Sequence, residues 1–170
     1  MLHSLNELSG NHQIDVRFLN QVPIFSELDE NELYLLKDIC HYRTSVPDEI
    51  IYDEGQLAVA AYIIKAGSVG LYRHITDNPP ERVHCLYAGD SFGESALFLE
   101  NKRPYQAKAL EKTTLFAIYR PEFENLILKK PQIGIKILRQ ILQRQAMQLL
   151  DREKELQELS EKLLQAKIVV

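Results

Sequence analysis

The residues able to hold a ligand are concentrated in one stretch, Phe92 to Ala109, FGESALFLENKRPYQAKA. Its Gly93-Glu94 pair reads as a tight turn opening a short helix, which leaves the backbone N–H groups of Ser95, Ala96 and Leu97 free to face an anion. Arg103 follows a short loop, and its planar guanidinium can close over the same anion with two charge-assisted bonds. Glu94 would repel an anion, so it needs a donor of its own, and a sugar hydroxyl is one. Next to Arg103, Pro104 has no N–H to offer, and Tyr105 is bulky. Gly93, Glu94, Ser95, Ala96, Arg103, Pro104 and Tyr105 form the candidate ligand-binding set.

The rest of the chain must position this stretch. Residues 1–15 are polar and aperiodic, and they read as a flexible lead-in. RFLNQVPIFSELDENELYLLKDIC then predicts a short helix over 16–20, a break at Pro23 and a second helix. Asp29, with Glu32 three residues on, marks the start of that second helix. Leu28, Leu33, Leu36 and Ile39 form its inward face. From His41 to Tyr119 the pattern changes to short β-branched and aromatic runs over 41–46, 49–52, 60–65, 68–74, 82–87, 106–111 and 114–119. Gly55, Gly67, Asn78-Pro79-Pro80 and Gly89-Asp90 separate them, so the spacing predicts an antiparallel roll. Gly67 reads as a hairpin turn between two of these strands.

After Tyr119 the chain is helical. Pro121 marks one helix start, and beyond Pro131 the pattern runs unbroken to the end. Ile135, Leu142, Leu149, Leu156, Leu163 and Val170 recur at every seventh position. Their companions are Leu138, Gln145, Arg152, Leu159 and Ala166, which makes a coiled-coil seam that is apolar at its ends and polar in the middle. A helix of this length outreaches a single roll, so the seam predicts a parallel homodimer. The expected organisation is a lead-in over 1–15, a β-roll with flanking helices over 16–130 and a coiled-coil helix over 131–170.

Composition excludes several function classes. The 20 basic and 24 acidic residues are dispersed and leave a net charge of −4, so no nucleic-acid-coating surface is expected. No apolar run approaches the roughly 20 residues needed to span a bilayer, and no basic-then-apolar leader opens the chain. No membrane partner and a cytoplasmic location are expected. Two cysteines, Cys40 and Cys85, suit a reducing compartment and do not make a disulfide framework. His41, His74 and His84 stand singly rather than as the clustered ligands of a jelly-roll metal enzyme, and no nucleophile–base signature occurs. Neither a catalytic function nor a cofactor is expected.

The ligand stretch resembles the phosphate-binding cassette of the cyclic-nucleotide-binding domain family, which includes the catabolite activator protein and the regulatory subunit of protein kinase A. That cassette runs F-G-E-(L/I)-A-L, a short loop, then R-(A/S/T)-A. Phe92, Gly93, Glu94, Ala96, Leu97 and Arg103 stand where it requires them. Two further stretches are similar to the family. Phe18 to Leu36 follows F-L-x-x-(V/I)-P-(L/I)-F-x-x-L, and YIIKAGSVGLYR follows Y-x-I-x-x-G-x-V.

The resemblance, over about Phe18 to Leu150, implies a mainly β jelly roll (double-stranded β-helix) with flanking helices and a long C-terminal dimerisation helix. It also implies a glutamate holding the ribose 2′-OH, an arginine holding the cyclic phosphate, and a base contact from the long helix at Gln148, with Gln145 one turn earlier. Pro104 and Tyr105 depart from the small residues usual after the arginine. The implied function is a regulatory sensor of a bacterial type, passing ligand state through a dimerising helix to an output such as a fused signalling enzyme. The implied ligand is cyclic AMP, alternatively cyclic GMP. Members that bind DNA continue into a helix-turn-helix, of which this sequence carries no sign. The alternative is a dimeric scaffold of the same fold that binds nothing.

Overall fold

The structure, a computed structural model, describes residues 15–74 and 79–168. The lead-in over 1–14, Asn78 and Val170 lie outside these residues, as does the side chain of Ala166. Helix α1 (Val16–Gln21) is capped by Asp15, whose carboxylate accepts from the Arg17 N–H. A 3₁₀ turn over Pro23–Phe25 leads into α2 (Glu30–Lys37). The expected capping box forms in full there: the Asp29 side chain accepts from the Glu32 N–H, and Glu32 accepts from the Asp29 N–H, both at 2.9 Å.

Among the described residues eight strands follow: β1 (Cys40–Ser45), β2 (Ile50–Tyr52), β3 (Ala60–Ala66), β4 (Ser68–Arg73), β5 (Glu81–Tyr87), β6 (Ser91–Phe92), β7 (Gln106–Ala109) and β8 (Thr113–Tyr119). They pair antiparallel in two four-stranded sheets, ordered β1-β8-β3-β6 and β2-β7-β4-β5. Seven match the strands expected from the sequence. The eighth, β6, has two residues, too few for any alternation to show.

Over Ala60–Ile64 and Leu115–Ile118, strands β3 and β8 are apolar because both of their faces are covered. Ala61, Ile63, Phe116 and Ile118 pack outward with Phe25, Leu33, Leu36, Phe123, Ile133 and Ile137 of the helical layer. Their neighbours Ala60, Tyr62, Ile64, Leu115 and Ala117 point into the roll beside Tyr52, Val69, Leu71, Phe92 and Ala107. Strand alternation thus divides the core in two, and the inner half borders the ligand stretch.

Gly67 corrects the sequence expectation. β3 pairs with β6 and β8, whereas β4 pairs with β5 and β7, so no ladder joins β3 to β4. Gly67 (φ 87°) instead turns the corner from one sheet to the other. A Cβ there would lie 2.6 Å from Thr113 Oγ1 and 2.7 Å from the Lys112 carbonyl. A strand–glycine–strand pattern carries the turn but not the identity of the paired strand. The hairpin partner of β4 is β5, paired from Ser68↔Tyr87 to Arg73↔Glu81 with a register shift between Leu71 and Tyr72.

Helix α3 (Arg120–Lys129) carries Pro121 at its second position, and α4 (Pro131–Ile168) runs for 38 residues, about 57 Å. Only its first turns are anchored. Ile133 and Ile137 are buried and Ile141 packs against the same core, while Lys136 pairs with Glu32 at 2.6 Å and Arg139 with Glu27. Ile135, Leu138, Leu142, Leu149, Leu156, Leu159 and Leu163 are all exposed. No helix among the described residues is long and apolar enough to cross a membrane.

Candidate ligand site inside the roll

Gly93 adopts the left-handed conformation (φ 72°) and starts a 3₁₀ turn over Glu94–Leu97. A side chain there is excluded twice, by that backbone conformation and because a Cβ would overlap Arg103 Nη1. The tight turn spends one amide expected to be free: the Ala96 N–H donates to the Gly93 carbonyl at 3.1 Å. Ser95 is exposed, and its hydroxyl accepts from the Asn101 side chain at 3.2 Å. Arg120 braces the far end, donating to the carbonyls of Ala96 (2.6 Å), Ala58 (2.7 Å) and Leu99 (2.7 Å).

The loop carrying Arg103 is pinned on both sides. The Arg103 N–H donates to the Gln56 carbonyl at 2.8 Å, and its own carbonyl accepts from Gly55 at 2.9 Å. This places the side chain within the roll, 4% exposed. The guanidinium lies 4.0 Å over the Tyr52 ring and 5.7 Å from that of Tyr62. Tyr62 in turn stacks on Phe92 at 5.3 Å. Nη2 donates to the Ala60 carbonyl at 2.6 Å, Nη1 makes a long 3.4 Å contact with the Gly93 carbonyl, and the buried Nε has no hydrogen-bond partner among the described residues. No carboxylate forms an ion pair with this guanidinium among those residues, and burial pulls its pKa below the usual arginine value. Burial likewise pushes the Tyr52 hydroxyl above the usual tyrosine range, so it stays a neutral donor. An arginine with no carboxylate in contact among the described residues and with an unfilled donor can receive an anion.

Glu94 is engaged from elsewhere. Its Oε1 accepts from the Ser91 hydroxyl at 2.7 Å and pairs with Arg144 Nη1 at 3.0 Å. Arg144 also donates to the Ser91 hydroxyl (3.0 Å) and carbonyl (3.2 Å). The long helix is thereby tied to the glycine turn. Sequence reading missed Arg144 while singling out Gln148. The available signal was a charged residue on the same helical face, one turn before Gln148. Tyr52, Tyr62 and the Ala60 carbonyl were also missed, since nothing local marks them as neighbours of Arg103. Arg103, Arg144 and Glu94 together leave one net positive charge.

The structure brings Gly93, Glu94, Ala96 and Arg103 together. Pro104 is exposed beside them, Tyr105 is half-buried against the inner core, and Gln148 is exposed on α4. His41 bonds Glu122, His74 bonds Glu54 and His84 lies edge-on to Tyr105. Among the described residues no group of three His, Cys, Asp or Glu side chains is placed to hold a metal.

Comparison with known proteins agrees with this architecture. Residues 42–130, more than half of the chain, match the cyclic nucleotide-binding domain family. Over 112 residues the chain is 30% identical to the Cyclic AMP receptor protein of Thermus thermophilus, covering 66% of this chain and 52% of that protein. The chain thus spans about half the length of that relative. The crystal structure of the Thermus thermophilus Catabolite Activator Protein superimposes with a TM-score of 0.71 at 28% identity, over 81% of this chain and 63% of that one. The regulatory domain of Toxoplasma gondii PKA, solved with cAMP, gives 0.66 at 25% identity, over 78% of this chain and 48% of that one. A two-sheet roll, a glycine turn facing a buried arginine and these matches lead to one assignment: the chain belongs to the cyclic nucleotide-binding domain family.

Proposed function

We propose that this chain is a cytoplasmic cyclic-nucleotide sensor whose ligand, cyclic AMP, occupies the roll at Arg103 and Glu94. The single observation that carries this reading is the buried Arg103 guanidinium, which among the described residues has an empty Nε donor and no carboxylate in direct contact. A cyclic phosphodiester carries one negative charge, which matches the surplus left by Arg103, Arg144 and Glu94. Glu94 keeps an oxygen for the ribose hydroxyl, because Ser91 and Arg144 both engage Oε1. Cyclic AMP is preferred over cyclic GMP because Pro104 offers no hydroxyl to a guanine amino group. The exposed seam of α4 would pair with the same helix of a second copy, and the helix would pass ligand state to an output domain.

A second reading has its own observation. Arg103 is turned onto the Ala60 carbonyl and Glu94 is held by Arg144, so the pocket is largely self-satisfied, as a scaffold of the same fold would have it. Calorimetric titration with cyclic AMP and cyclic GMP decides between them. Saturable heat with cyclic AMP as the tighter ligand is expected. No heat from either nucleotide at hundreds of micromolar would leave the scaffold.

A further inference from the structure

A second arginine, Arg73, ends strand β4. Strand register sets Val69 opposite Ala109 and Leu71 opposite Ala107. Val69, Leu71 and Ala107 belong to the inner core. Continued by one inward-facing step, the ladder places Arg73 opposite Tyr105, and the side chains confirm it. Arg73 Nη2 donates to the Tyr105 hydroxyl at 3.1 Å, and its guanidinium lies 4.8 Å over the Tyr105 ring. His84 meets the same ring edge-on at 6.0 Å.

Tyr105 follows Arg103 by two residues, in the bend that leads into β7, and packs against the same inner core as the Tyr52 ring under the Arg103 guanidinium. Arg73 is exposed, and no carboxylate lies within ion-pair distance of it among the described residues; the nearby Glu54 is bonded to His74. Its remaining N–H donors are therefore available to a ligand, held in place by an aromatic ring that sets their direction.

We infer that Arg73 contacts the base of the bound nucleotide, donating to a ring-nitrogen acceptor of a purine, with Tyr105 as the positioning residue that holds the guanidinium. The inference rests on the cyclic-nucleotide reading and deepens it. It gives the bulky Tyr105 a task, and it places the first base contact on the roll rather than on α4. Purine ring nitrogens are acceptors that arginine recognises in other nucleotide contacts.

The test compares two ligands against a fluorescent cyclic nucleotide by competition: cyclic AMP, and a cyclic ribose phosphate lacking the base. Arg73→Leu should weaken cyclic AMP about tenfold while leaving the baseless ligand and the melting temperature unchanged. Tyr105→Phe, which keeps the ring and removes the hydroxyl acceptor, should give a smaller loss confined to cyclic AMP. Equal loss of both ligands in Arg73→Leu would mean a structural role, and no loss of either would mean no contact; each overturns the inference. Should the unaltered protein bind neither ligand, the nucleotide reading itself falls and takes this inference with it, an outcome distinct from the other two.

Discussion

Arg144 and Glu94 meet at 3.0 Å, although one sits on the long helix and the other on the first residue of a 3₁₀ turn inside the roll. A carboxylate of the candidate site and a cation on the long helix therefore share one interaction. Arg144→Ala should free α4 from Ser91 and Glu94 at a cost of roughly 1 kcal/mol, modest because the arginine is part-exposed. Amide hydrogen exchange over residues 140–160 should accelerate in the variant without nucleotide. Unchanged exchange there would mean that the ion pair does not hold the helix.

Arg103→Ala should abolish nucleotide binding and leave the fold intact. Removing the buried member of a charge pair costs on the order of 2–5 kcal/mol, and calorimetry reads this directly. Glu94→Gln should cost less, since an amide oxygen still accepts from a hydroxyl. Gly93→Ala should reproduce the Arg103→Ala loss by a different route: a left-handed alanine costs about 1–2 kcal/mol, and its Cβ displaces the guanidinium.

A dimer through α4 makes its own demand. Burying each seam leucine contributes roughly 1.5–3 kcal/mol, so Leu149→Glu should convert the protein to a monomer in sedimentation at micromolar concentration. The β-roll should melt as before, because Leu149 touches none of the core clusters. A monomer in the unaltered protein would end the dimer reading.

Cys40 gives a pH prediction. Its thiol, donating to the Leu36 carbonyl at 3.3 Å, is pushed up to about 12, first by burial and then by the charge of Glu122. The folded state therefore holds this proton where the unfolded state has released it. The resulting stability is fully present below pH 9 and falls as pH rises toward 12. Alkylation of Cys40 at pH 8 should be slow until the protein unfolds, as mass spectrometry of modified peptides would show. Rapid modification of Cys40 in the native protein would contradict this burial.

Features encoded by neighbouring residues were legible in the sequence. The Asp29–Glu32 capping box, seven of the strands and the glycine turn at Gly93 all depend on residues within a few positions of one another. What escaped depends on contacts between distant segments. Gly67 joins two sheets because of which strands pair, and Tyr52 reaches Arg103 because the loop at Gln56 pins the arginine backbone. Arg144 looks like any solvated cation until α4 is laid across the roll. Tyr105 was legible as bulky, but its bond to Arg73 needed the β4–β7 register.

The anchored part of α4 ends near Arg144, and about 36 Å of helix continue from there to Ile168. Were such a rod to pivot at Arg144, it would act as a lever with its fulcrum at the candidate site. A change of 10° in its direction at Arg144 carries the far end about 6 Å sideways, taking the rise per residue as the arm's scale. Exchanging one hydrogen bond at Glu94 would then be read out as a displacement larger than the width of a side chain, with no residue of the roll moving by as much.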